Sequence, residues 1–260
     1  MAKVIKKRWK ILRLCISLLL ELGILVAFIF AFGIRTSYVQ TKVSQSIASY
    51  LSKELNVQIS IKHVEIENIN RFLLKEIYLE DKKGDTLLFV KRLKLDLDVF
   101  DLENRIIEIG KIEIENALFT MVKYPGEEEF SYVFLVDYFG PNSSKKSAPY
   151  ELNIEEVEIT NSSFRLTDLN KNQKSFGIDY SNLDLTQIEA SIKNFSNKDN
   201  FSAQIDQLAF FEQSGFKVRH MQALAAYSNS QVLLENLNLN TNASEINANQ
   251  LSLNYTDPTQ

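Results

Sequence analysis

Cysteine is all but missing from this sequence, and Cys15 is its only instance. No intramolecular disulfide can form, so buried apolar area has to hold the fold together. Histidine is nearly as scarce, with His63 and His220 alone. Two histidines are too few for a usual zinc site unless thiols or carboxylates complete it, and both read as strand or surface residues. Eight glycines among 260 residues leave no glycine-rich phosphate cradle. Gly-x-Ser-x-Gly and His-Glu-x-x-His are also missing. Asp168, Asn170 and Asn172 imitate the start of a calcium loop. Gln173 stands where that loop needs glycine and Asp179 where it needs a bidentate glutamate, so a polar hairpin turn is the better reading. The paired carboxylates Glu113/Glu115 and Glu156/Glu158 are spaced for a solvated strand face. These absences predict a non-enzyme with no cofactor and no metal.

A repeat is present instead. Val64-Glu65-Ile66-Glu67-Asn68, Ile112-Glu113-Ile114-Glu115-Asn116 and Val157-Glu158-Ile159-Thr160-Asn161 share one alternating pattern. Their spacings of 48 and 45 residues suit a unit of several strands. Each copy ends in an asparagine that tolerates a turn, and Phe72, Phe119 and Phe164 follow at similar offsets.

The longest apolar run lies near the N-terminus. Lys3, Lys6, Lys7, Arg8, Lys10 and Arg13 precede residues 14–34, where Leu14, Leu20, Phe28 and Ile34 belong to a span whose only charge is Glu21. About 20 apolar residues cross a bilayer core as a helix, and the basic flank sets the N-terminus on the cytoplasmic side. A cleaved signal peptide is the competing reading, although its apolar region is usually only about 7 to 15 residues. Glu21 is the costly residue here, either paired within a membrane partner or oligomer or carried as a protonated or snorkelling passenger. Beyond this span the chain has no cysteine and a net charge of −9. Binding to nucleic acid or to an anionic surface is therefore not expected.

After the predicted anchor, Ser37 and Gln40 form a capping box, and Val39, Val43, Ile47, Leu51 and Leu55 recur at four-residue spacing with Tyr50 beside them. This predicts an amphipathic helix over 35–56, stopped by Asn56 and packed over the first β unit. From Val57 the period becomes two. Leu93, Leu95, Leu97 and Val99 alternate with charge, and Ile107 and Ile109 change phase to Ile112 and Ile114 across Gly110-Lys111, as a bulge would require. Further strands are predicted over 57–66, 73–79, 117–123, 152–159, 163–167, 176–185, 202–211, 232–240 and 245–255. Lys83-Gly84-Asp85, Pro125-Gly126, Asn170 to Asn172 and Asn197 to Asn200 mark turns. The proline- and serine-containing loop 140–149 divides a first β-repeat region, 57–139, from a second, 150–260.

So many amphipathic strands with so few helices must bury their apolar faces against one another, as a sandwich, a barrel or a curled trough. On alternation alone a closed β core is the simpler reading.

The basic anchor, the helix from Ser37 to Leu55, Ile61 to Ile66, Leu93 to Leu102, Ile112 to Phe119 and Leu237 to Ile246 together resemble the N-terminal part of TamB proteins in the AsmA-like superfamily. That resemblance implies a mainly β chain whose antiparallel strands curl into an elongated trough with an apolar groove, like the chorein-type bridge proteins. It implies a single-pass inner-membrane protein of a Gram-negative bacterium, with its bulk in the periplasm. It further implies phospholipid as cargo and support of outer-membrane biogenesis. The alternative activity is assembly of outer-membrane β-barrel proteins through protein contacts, with a barrel-assembly partner. Leu93, Leu95, Leu97, Val99, Ile112, Ile114, Phe119, Val157 and Ile159 are the groove-lining candidates. Family members are far longer than 260 residues, so a sequence of this type is a fragment or a shortened relative.

Overall fold

The computed structural model describes residues 37–67, 70–101, 104, 106–139, 151–197, 201–228 and 230–254. The expected anchor, with Leu14, Leu20, Glu21, Phe28 and Ile34, lies outside these residues, as do the topology residues Lys6, Lys7, Arg8, Lys10 and Arg13 and the loop 140–149. Among the described residues no helix is long and apolar enough to cross a membrane.

Helix α1 spans Ser37–Leu55. Asn56 ends it in the left-handed region at φ 50°, where an asparagine side chain is tolerated. Ser52 Oγ then accepts the Ile59 amide at 2.9 Å, and Lys82 Nζ donates to the Leu55 carbonyl, so the helix end is tied to the strands that follow. Ala48, Leu51 and Leu55 form its buried stripe, and α1 packs against the first strand. Tyr50, read from sequence as lying beside the apolar stripe, is exposed.

Among the described residues, ten strands form one sheet in simple sequence order. They are β1 (Ile59–Ile66), β2 (Arg71–Glu80), β3 (Thr86–Asp101), β4 (Ile106–Lys123), β5 (Glu151–Asp168), β6 (Asn182–Ser196), β7 (Phe201–Glu212), β8 (Lys217–Tyr227), β9 (Gln231–Thr241) and β10 (Glu245–Asn254). A short helix, α2 (Val133–Phe139), interrupts the connection from β4 to β5. The sheet does not close, because β1 and β10 are its two ends. Every neighbouring pair is antiparallel except β4 and β5, which run parallel, so the all-antiparallel expectation needs one correction. The physical reason is the long return through 124–150, which brings the chain back to the starting end of β4. That pair also joins the two expected β-repeat regions into one sheet.

The parallel pair explains the repeat. Ile112, Glu113, Ile114 and Glu115 lie opposite Val157, Glu158, Ile159 and Thr160, so the second and third signatures stand side by side in register. Phe119 likewise faces Phe164, with ring centroids 6.1 Å apart. The terminal asparagines do not turn the chain. Asn116 and Asn161 sit inside continuous strands at φ 51° and 45°, and Asn161 Nδ2 donates to Asn116 Oδ1 at 2.6 Å. Segments 112–116 and 117–123 are therefore one strand, and so are 152–159 and 163–167.

A left-handed residue inside a strand shifts the alternation by one and bends the sheet. Glu76 in β2, Asn116 in β4, Asn161 in β5 and Gln187 in β6 form one such line. A second line of irregular pairing passes Asp98 and Gly110, where the register shifts, and reaches Asn194 at φ 53°. Opposite Asp98, a Cβ on Gly110 would meet the Asp98 carboxylate at 2.6 Å. The expected phase change at Gly110-Lys111 is present, with the register shifting between Asp96 and Val99 on the facing strand, and Ile107, Ile109, Ile112 and Ile114 are all buried.

Three elements differ from the sequence expectation. Strand β6 starts at Asn182 rather than 176, because 176–181 form a loop around Asp179, which accepts the backbone amides of Lys174 and Ser181 at 2.9 and 3.0 Å. Strand β8 has a weak signature, since alanines supply three of its apolar positions. Helix α2 lies inside an aromatic-rich segment, where Tyr132 and Leu135 join the core.

The two amides hold the Asp179 carboxyl below the ordinary carboxylate range. A carboxyl lowered in the folded state stabilises the fold above its unfolded pKa and loses that contribution as pH falls through the folded value. Asp179→Asn is expected to flatten the fall in melting temperature below about pH 4 and to leave a smaller gap at pH 2 than at pH 7. Melting curves across pH 2 to 7 measure this, and parallel curves at all pH values would refute it.

Candidate functional site

The sheet has one apolar face and one polar face, and the register shows how both are assembled. Val64, Leu74, Leu93, Ile114, Ile159, Ala190, Leu208, Met221, Leu239 and Ile246 are consecutive cross-strand partners. One apolar side chain therefore comes from each of the ten strands, in a row about 43 Å long at the usual strand spacing. A second row runs from Ile66 through Phe72, Leu95, Ile112, Val157, Ile192 and Ile205 to Ala223.

Exposure changes along the first row. Val64, Leu74, Leu93 and Ile114 are buried with α1, Tyr132 and Leu135 in one core. Leu208, Met221 and Leu239 are half-buried, and Ile246 is 46% exposed. Leu251 and Leu253 on the same strand reach 54% and 44%. The apolar face is thus filled by its own side chains over β1 to β5, still carries the buried residues Ala190, Ala223, Val232 and Leu237 across β6 to β9, and is uncovered at β10.

Eight of the nine groove candidates lie on this face. Leu93, Leu95, Leu97, Ile112, Ile114 and Val157 are buried, and Phe119 and Ile159 pack partly buried against the same core. Val99 is on the other face. The irregularity at Asp98 pairs Val99 with Glu108, whose own partner is Asn153, while Phe100 takes the apolar position opposite Ile107. Val99 is 39% exposed as a result. Sequence reading missed the accessible positions Leu234, Leu239, Ile246, Leu251 and Leu253. Their signal was the spacing of apolar residues by two, three and two, shared by 232, 234, 237 and 239 with 246, 248, 251 and 253.

The polar face carries charge in alternation. Arg71, Asp96, Lys111, Glu156 and Lys193 are consecutive partners across β2 to β6. Arg71 Nε donates to Asp96 Oδ1 at 2.6 Å, and Lys193 Nζ lies 2.7 Å from Asp206 Oδ2. Lys111 reaches Glu158 at 3.0 Å, Glu156 at 3.6 Å and Glu113 at 3.7 Å. Its ammonium is held above the ordinary lysine range chiefly by the Glu158 hydrogen bond, against partial desolvation. Lys111→Gln would leave three carboxylates side by side. The expected result is a loss of about 1 kcal/mol at low ionic strength, halved or better by 1 M salt, read from denaturation midpoints. A salt-independent change would show that packing of the lysine stem matters more.

Loops at one end tie neighbouring strands together. Tyr124 Oη lies 2.6 Å from both Asp81 Oδ2 and Asp85 Oδ2, and burial together with these carboxylates raises its pKa. Asn170, which imitated a calcium ligand, instead accepts the Gly126 amide at 2.6 Å and donates to the Tyr124 carbonyl at 2.9 Å. Among the described residues no cluster of three or more histidine, cysteine or acidic side chains could hold a metal.

These features define a mainly β chain built on one open sheet, with an apolar face that is closed at one end and uncovered at the other. No family model matches the sequence, and no curated protein matches it. The likeness to TamB proteins therefore rests on the residue pattern alone.

Proposed function

We propose that this chain is a membrane-anchored lipid-carrying scaffold of the TamB, AsmA-like type, in which the sheet curls into a trough and phospholipid acyl chains lie along its apolar face. It makes and breaks no bond. The supporting observation is the ten-residue apolar row, buried at Val64 and Leu74 and open at Ile246. Each lipid methylene taken from water by such a surface contributes about 0.8 kcal/mol without regard to head group. The accessible stretch for cargo is β10 with the half-buried Leu208, Met221 and Leu239 beside it, because side chains of the chain itself fill β1 to β5 and bury Val232 and Leu237 on β9. Residues 14–34 serve in this reading as the inner-membrane anchor, with the sheet in the periplasm and lipid passing toward the outer membrane.

Site-specific photocrosslinking in cells tests the reading. Probes at Leu239, Ile246, Leu251 and Leu253 are expected to give phospholipid adducts. Probes on the opposite face at Asn238, Asn247 and Ser252, and buried probes at Leu95 and Ile114, are expected to give none. Protein-only adducts at the first set, or lipid adducts on both faces alike, would remove lipid carriage as the function.

A further inference from the structure

The turns at one rim of the sheet share an aromatic and basic chemistry. This rim holds the β2–β3 turn at 81–85, the start of the long return at 124–132, the β5–β6 loop at 169–181 and the β7–β8 turn at 213–216. Lysine ammoniums lie over aromatic rings around it, Lys83 at 5.7 Å from the Tyr124 centroid, Lys174 at 5.9 Å from Tyr180 and Lys217 at 4.2 Å from Phe211. The loop 169–181 shows this chemistry most openly. Phe176 is 93% exposed, more than any other large apolar side chain among the described residues, and Tyr180 and Leu169 in the same loop reach 57% and 49%. Lys171 and Lys174 are exposed as well. The loop itself builds this display. Its base is closed by the Asp168 amide, which donates to the Ser181 carbonyl at 2.7 Å, and by the Leu169 amide, which donates to the Lys123 carbonyl at 2.9 Å. Asp179, 6% exposed, ties Lys174 to Ser181 through the two amides it accepts. Gly177 turns the tip at φ 74°, in the left-handed region that glycine enters freely.

From this we infer that the loop 169–181 docks this rim on a phospholipid bilayer, with Phe176 entering the interface below the head groups and Lys171 and Lys174 lying against lipid phosphates. Area favours a bilayer over a protein partner. Phe176, Tyr180 and Leu169 together offer on the order of 400 Å², about half of what each side of a stable protein interface contributes. A bilayer needs no matching counter-surface, and one aromatic side chain taken from water is enough for about a tenfold partition. Composition agrees, because phenylalanine, tyrosine and lysine put apolar bodies in the interface and keep their polar ends in water. Charge agrees locally. The chain is acidic as a whole, yet this loop holds two lysines against the single carboxylate of Asp179, which is buried and taken up by backbone amides. Exposed Glu128 and Glu129 on the neighbouring segment confine the contact to the loop. Position sets the loop apart from both ends of the sheet. It joins β5 and β6, each four strands from the nearer edge and so about 20 Å along the sheet from it, and β10 runs away from this rim toward the opposite one.

Trp9 is the chain's only tryptophan, so Trp9→Phe combined with Phe176→Trp places one fluorescent reporter at the loop tip of the full chain in phospholipid nanodiscs. The probe lipid is phosphatidylcholine with about 30% phosphatidylglycerol, brominated on its acyl chains, supplied in one arm as the disc lipid and in the other as added vesicles. Bromine quenches tryptophan on contact. The tip is expected to lose about twofold or more of its emission in at least one arm, whereas Ser252→Trp, an exposed position on β10, loses none. Lys171→Glu with Lys174→Glu should cut the tip quenching about fivefold while circular dichroism stays unchanged. Absence of quenching at 176 in both arms, equal quenching at 176 and 252, or quenching indifferent to the two lysines would each overturn the inference. Emission from the tip that shifts with protein concentration and not with lipid would overturn it too, in favour of a protein contact. The inference does not rest on lipid carriage. Leu253→Trp in the same background reports cargo on the apolar face, so either reading can fail alone.

Discussion

Replacing Leu74 with alanine is expected to destabilise the chain by about 2 to 5 kcal/mol, whereas Leu253→Ala changes stability by less than about 0.5 kcal/mol. Both residues sit on the same face, and what separates them is cover. Leu74 is 0% exposed between Val64 and Leu93, and truncating it leaves a cavity that its rigid neighbours fill only in part. Leu253 is 44% exposed with Val232 as its strand partner, so truncation removes little packing. Urea midpoints measure the difference. Equal effects at the two sites would mean that β10 is covered in solution, and the open end of the apolar face would then be lost as a cargo site.

Asn161→Val is expected to cost about 2 to 3 kcal/mol, and Asn161→Gly less than about 1 kcal/mol. At φ 45° valine meets the steric penalty of the left-handed region, about 1 to 2 kcal/mol for an ordinary residue and more for a β-branched one. Valine also removes the Asn161–Asn116 side-chain bond, worth about another 1 kcal/mol. Glycine loses that bond but adopts the conformation freely. Asn116→Val acts on the same line across the sheet, so the double substitution should cost less than the sum of the two. Denaturation of the two single variants and the double variant forms the required cycle. Strict additivity would show that the two bends form independently.

A comparison of particular elements shows which signals were local. Asn56 marked the end of α1 because a left-handed stop is decided within one turn of the chain, and the helix ends at Leu55. Leu93, Leu95 and Leu97 were legible as one face because a strand repeats every two residues. Val99 was not, because Asp98 shifts the phase only in answer to Gly110 on the neighbouring strand. Asn116 and Asn161 were recognised as special but read as turns. An asparagine in the left-handed region can serve a turn or a bulge, and the pairing partner decides which. Strand β8 escaped notice because alanines bury too little to mark a face.

The sequence by itself determined that the chain is β-rich after one helix, that its strands have an apolar and a polar side, and that the Ile112 and Val157 segments are copies of one unit. Those properties are periodic, and periodicity is carried by neighbours along the chain. Tertiary structure alone decided that the two copies lie parallel and in register, that ten separate apolar residues make one row, and that Leu93 is sealed while Ile246 is open. Pairing and cover depend on strands far apart in sequence. An apolar residue is written identically whether a neighbour lies on both sides of its strand or on one.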